Sequence, residues 1–192
     1  MNRRRLTLLS ICLALASASF SPVTLGAGKA EQQAKVRKSS QQILARLYRI
    51  QPQAKQEIAK SAGYAVFDNF GMKILVAGGG TGAGLAVDNA SKRETFMKMA
   101  EIQAGLGFGV KKFQLIWVFR DKKALDSFVN SGWELGAQAN ASAKYDTQGV
   151  AMAGALAVSP GVWLYQLSGD SLALELTAKG TKYYRDDELN SN

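Results

Sequence analysis

The stretch Val76-Ala77-Gly78-Gly79-Gly80-Thr81-Gly82-Ala83-Gly84 decides how the rest of this chain is read. Glycine stands at 78, 80, 82 and 84, a period of two, and period two belongs to β-strands. Gly105, Gly107 and Gly109 repeat the pattern. An extended run of this kind lays a stripe without side chains on one face of a sheet. Either a ring, a helix or another backbone approaches that stripe, or the sheet coils sharply there, and sharp coiling is the favoured reading. A nucleotide cradle would need a G-x-G-x-x-G register, or Lys-Ser or Lys-Thr after the glycines, and neither is present.

Outward from this stretch the pattern stays strand-like. Gly63 to Phe67, Met72 to Ala77, Gly82 to Val87, Thr95 to Met99, Ala104 to Val110 and Phe113 to Phe119 are apolar or alternating and are separated by turn formers. Asp121 is placed to N-cap a short helix whose Ala124, Leu125, Phe128 and Val129 share a face, and Gly132 can close it. Trp133 to Ala143, Gly149 to Val158, Gly161 to Leu167 and Leu172 to Ala178 again suggest strands. The polar run Lys182 to Glu188 reads as a tail, loosely ordered beyond Tyr183 and Tyr184.

Before the strands comes a helix. From Ala30 to Ile50 the residues Val36, Ile43, Leu44, Leu47, Tyr48 and Ile50 fall on one side of a helical wheel, and Pro52 ends or kinks it. Lys35, Lys38, Arg46 and Arg49 gather in a sector away from the apolar centre, with Arg37 on the other flank. Gln32 to Gln56 holds six basic residues and no acidic one. A basic amphipathic helix can be a solvated face; the missing acids favour a surface for anionic lipid head groups, each nearby Lys or Arg contributing about 1 kcal/mol. A shorter helix is expected from Ala54 to Lys60.

The first 27 residues have the parts of a cleavable secretory signal: Arg3 to Arg5, an apolar run from Leu6 to Ala18, and a small residue, Ala27, at the expected cleavage point. The run is too short for a bilayer of about 30 Å, which needs roughly 20 helical residues. Consecutive arginines also suit a twin-arginine pathway, and Leu9-Ser10-Ile11-Cys12 is a poor lipoprotein box because Ile11 is too large. Of 24 basic and 15 acidic residues, the signal holds three basic and none acidic, so cleavage lowers the charge from +9 to +6. The remaining 165 residues suit one domain with a sizeable core. There is no histidine, and the single cysteine, Cys12, lies in the signal. Triads, thiol chemistry and the usual zinc sites are thereby excluded. No catalytic residue, metal or cofactor is expected.

In order along the chain, Gly63-Tyr64-Ala65-Val66-Phe67 with an Asp68-Asn69 turn, the run Val76 to Gly84, Gly105-Leu106-Gly107-Phe108-Gly109, Leu115-Ile116-Trp117-Val118-Phe119, Leu135-Gly136-Ala137 and Lys182-Tyr183-Tyr184 resemble the SYLF domain, also called DUF500. The resemblance covers Ala30 to Tyr184. It departs at Asp68, where the family often has proline, and at Lys111-Lys112, where glycine and glutamine are frequent. It implies a single domain that binds phospholipid, with phosphoinositide preference in eukaryotic members, some of which bind actin filaments.

The expected fold is α+β: N-terminal amphipathic helices, then a strongly twisted, glycine-rich, mostly antiparallel sheet or partial barrel with one short inserted helix. The domain runs from 28 to 192 after the signal. The expected function is non-enzymatic binding of anionic phospholipid through Lys35, Lys38, Arg46 and Arg49, aided by Lys55 and Lys60, by an exported protein, periplasmic or secreted. The alternative is an envelope structural or protein-interaction domain that docks a partner with the glycine stripe or the tyrosine tail. An outer-membrane barrel is disfavoured by the basic helix and modest hydrophobicity. Nucleic acid is not an expected partner, and actin enters only by family analogy.

Overall fold

The computed structural model describes residues 25–74, 77–104, 109–135, 152–169, 171–172 and 180–191. The signal's charged and apolar regions, the glycines at 105 and 107, and much of the strands expected over 133–143, 149–158 and 172–178 lie outside the described residues. Helix α1 (Leu25–Ile50) begins earlier than the apolar pattern indicates, so the expected cleavage point after Ala27 falls in its first turn. Ile43 and Leu47 are its buried apolar residues, as the wheel requires. Pro52 takes the N-cap of α2 (Gln53–Lys60), where its missing N–H costs nothing, and α2 buries Ala54 and Ile58.

Four long antiparallel strands follow: β1 (Gly63–Ile74), β2 (Ala77–Asp88), β3 (Glu94–Ala104) and β4 (Gly109–Phe119). The first departure from the sequence pattern lies in β1. The expected break between Phe67 and Met72, with a turn at Asp68-Asn69, does not occur; Asp68 and Asn69 continue β1 opposite Ala83 and Gly82. Of this polar pair, Asp68 is exposed and hydrogen-bonded, and Asn69 is buried. Asp68 Oδ2 accepts from Ser39 Oγ of α1 at 2.8 Å, while Asn69 occupies the room that Gly82 leaves.

Helix α3 (Lys122–Ser131) matches its expected start and stop. Asp121 accepts from the Ala124 N–H at 2.8 Å, and Gly132 leaves the helix at φ 74°. Strands β5 (Trp133–Leu135), β6 (Leu156–Ser159), β7 (Val162–Ser168), β8 (Ser171–Leu172) and β9 (Thr181–Arg185) complete the sheet, and a short helix, α4 (Asp187–Asn190), closes the described chain. The order is β5-β9-β3-β2-β1-β4-β7-β6, with β8 paired to β7.

The sheet is strongly curled into an open half-barrel, which makes the fold α+β as expected. In a flat sheet β3 and β7, four places apart, would lie about 19 Å from each other. Instead Met97 and Met99 of β3 share one core with Val162 and Leu164 of β7. The concave face holds that core together with Leu125, Phe128 and Val129 of α3. The convex face packs Val66, Ile116, Val118, Trp163 and Tyr165 against Ile43 and Leu47 of α1 and Ile58 of α2. Burial, more than the charge of Glu57, pushes the Tyr165 hydroxyl up to about 12 and keeps it neutral.

The glycine stripe now has a use as well as a shape. A Cβ on Gly84 would stand 2.4 Å from the Phe67 ring, and one on Gly82 would meet the Asn69 amide. Bare backbone on β2 therefore accommodates a ring and an amide from β1 where the sheet curls. Phe67 continues into a cluster of Trp117, Phe128 and Tyr183 with ring centroids 4.9–6.1 Å apart.

The supposed tail is a second correction. Residues 181–185 form β9, an interior strand between β3 and β5, and Tyr183 is fully buried. Asp186 then caps α4, accepting the backbone N–H groups of Glu188 and Leu189.

Candidate functional site

The six basic residues singled out in the sequence all lie on α1 and α2, but they do not form one equivalent set. Lys38 and Arg49 are exposed and have no acidic partner among the described residues. Lys55 and Lys60 of α2 are likewise exposed. Arg46 is half-buried, and its Nη1 donates to Gln114 Oε1 of β4 at 3.2 Å, so this guanidinium is part of the contact between α1 and the sheet. Lys35 is exposed but lines a cleft under α1. The division agrees with the wheel once the structure shows which flank turns to the sheet. Lys38 and Arg49 lie farthest from the apolar centre, while Lys35 and Arg46 lie toward the flank that turns to the sheet.

Arg37, on the opposite flank, is committed to structure. Its Nε is 2.6 Å from Glu94 Oε2, and its guanidinium carbon lies 4.9 Å from the centre of the Phe96 ring. Both interactions tie α1 to β3. With Arg37 and Arg46 engaged at the flanks, the helix is held with Lys38 and Arg49 on its exposed side.

A cleft not expected from the sequence lies under α1. It has a volume of about 740 Å³ and lies between the N-terminal half of α1 and the convex face of β1, β2 and β3. Lys98 and Lys112 enter it from β3 and β4. Lys98 Nζ is 3.1 Å from Asp186 Oδ1 and 3.3 Å from Glu188 Oε2, and these contacts, that with Asp186 foremost, raise its pKa. The available signal was the alternation itself: with Gly82 facing inward, Thr81 and Ala83 must face outward, leaving only small side chains there.

Among the described residues no three His, Cys, Asp or Glu side chains come together to hold a metal ion. No helix among them is long and apolar enough to cross a membrane. The arrangement is a curled α+β sheet domain with a basic helix on its convex face.

No protein-family model matches the chain. It is similar to Beta cell expansion factor A of Aeromonas veronii, at 32% identity over 146 residues. The match takes in 76% of this chain and 54% of that protein, so the chain spans about half the length of this curated relative.

Proposed function

We propose that this chain is an exported SYLF-type domain whose function is non-enzymatic binding of anionic phospholipid, with α1 as the membrane-facing element. One observation carries the reading: Lys38 and Arg49 point away from the domain from a helix that has no acidic residue between Gln32 and Ile50, and no described acid neutralises them. Uncompensated positive charge on one face is favoured beside an anionic leaflet and is screened by salt. Lys55 and Lys60 extend the same charge onto α2. The ordered SYLF-like motifs, and similarity to a relative across three-quarters of the chain, support the family assignment.

Co-sedimentation of the purified protein with phosphatidylcholine vesicles, with and without phosphatidylglycerol, tests this. Binding should require the anionic lipid and weaken with salt. Equal, negligible sedimentation with both would overturn the reading and favour an envelope protein-interaction domain. The features considered for docking differ in exposure. Gly82 and Gly84 are covered by Asn69 and Phe67, and of the two tyrosines only Tyr184 is exposed.

A further inference from the structure

The cleft under α1 is an electrostatically unbalanced container. Its floor is Thr81, Gly82 and Ala83, and three lysines line it: Lys35, Lys98 and Lys112. Two acids lie there as well, and one of them is ion-paired. Asp186 accepts the backbone N–H groups of Glu188 and Leu189 and pairs with Lys98, and Asp68 accepts the Ser39 hydroxyl. That leaves Lys35 and Lys112, from different elements, with no acidic partner among the described residues. Asp68 keeps its charge beside the neutral Ser39 hydroxyl, so the two lysines and this one carboxylate leave the concavity net positive, which favours an anion. A volume of about 740 Å³ is that of a small-molecule site and far exceeds what a bare ion needs. The remaining walls include Val36, Leu189 and the Tyr184 ring, which suit the carbon skeleton attached to such an anion.

We propose that the cleft between α1 and the convex face of the sheet binds a phosphate ester, with the phosphate between Lys35 and Lys112. This rests on the membrane reading and deepens it: a lipid head group would be drawn beneath α1, while Lys38 and Arg49 hold the surrounding surface. The same chemistry is offered by a soluble phosphate ester, so the two sources are tested separately.

The purified protein is titrated with glycerol 3-phosphate, following backbone amide shifts, and in parallel sedimented with vesicles containing phosphatidic acid. Shifts should concentrate at Lys35, Thr81, Ala83 and Lys112. Lys112→Glu, a change at an exposed position, should weaken glycerol 3-phosphate at least tenfold; Ala83→Phe, which fills the floor and keeps every charge, should do the same. The pair Lys38→Ala and Arg49→Ala should leave this titration within twofold while weakening vesicle binding. Absence of shifts in the cleft, or equal affinity in Lys112→Glu, overturns the proposal even if vesicles are bound. Cleft shifts that respond to Lys112→Glu without any vesicle binding would instead keep the phosphate site and overturn the membrane reading.

Discussion

At Gly84 one added carbon would lie 2.4 Å from the Phe67 ring and 2.8 Å from the Val66 carbonyl oxygen, neither of which can move freely. Gly84→Ala should therefore cost about 1–3 kcal/mol in urea unfolding, the usual range for overpacking. Gly79, whose Cβ would find only the Glu101 carbonyl oxygen at 3.5 Å, should accept alanine within about 0.5 kcal/mol. The period-two spacing made the strand legible, but glycine carries no mark of which neighbour fills its place, so Phe67 and Asn69 could not be read from it. A different residue-scale test lies in the turn after β2. Asp88 Oδ1 accepts from the N–H groups of Ala90 and Ser91, each at 2.9 Å, and the Ser91 backbone bond is the main cause of its lowered pKa. A carboxyl depressed on folding contributes its full stability above its unfolded pKa, about 3.9, and loses it as pH falls through the lower folded value. Asp88→Asn should be less stable than the native chain at neutral pH, and the gap should narrow below about pH 4 in chemical unfolding followed across pH.

Among the elements, α1 and β9 show where pattern reading succeeds and where it fails. The long apolar stripe of α1 was legible because Val36, Ile43, Leu47 and Ile50 repeat over several turns. The strand β9 was not, because it alternates over only five residues, and Lys182, Tyr184 and Arg185 give it the composition of a tail. Its inward residues, Thr181 and Tyr183, are both buried, and its two neighbours are distant in sequence. Tyr183→Ala should cost about 3–5 kcal/mol, the range for large aromatic truncations in a core. Tyr183→Phe should cost much less, within about 1 kcal/mol, since the buried hydroxyl lies beside Trp117 and Thr181 without a well-formed hydrogen bond. Thermal unfolding of the two variants checks both. For α1, Lys38→Ala and Arg49→Ala should each lower affinity for anionic vesicles about fivefold at low salt, following a contribution of about 1 kcal/mol per charge. Arg37→Ala should act mainly on stability, because that side chain is tied to Glu94 and Phe96.

Over the whole molecule, the order of patterns, helices first and then strands around one short helix, was enough for the α+β class and the curl. The strand order was not accessible, since the placement of β9 between β3 and β5 is a long-range choice made by packing around Tyr183. Of the candidate site, the charge of the face was legible, but its division was not. Arg46 bonds Gln114 and Lys35 lines the cleft because the helix settles on the sheet at an angle no wheel supplies. The proposed function joins these scales: a curled sheet would hold a basic helix in place with its outward charges free to meet an anionic surface. The most direct test is the bound fraction of the native protein on vesicles of rising phosphatidylglycerol content, compared with Lys38→Ala/Arg49→Ala at the same salt. A steep rise for the native protein, displaced to higher anionic content in the variant, is the predicted result. Identical curves for the two, or no rise at all, would contradict it.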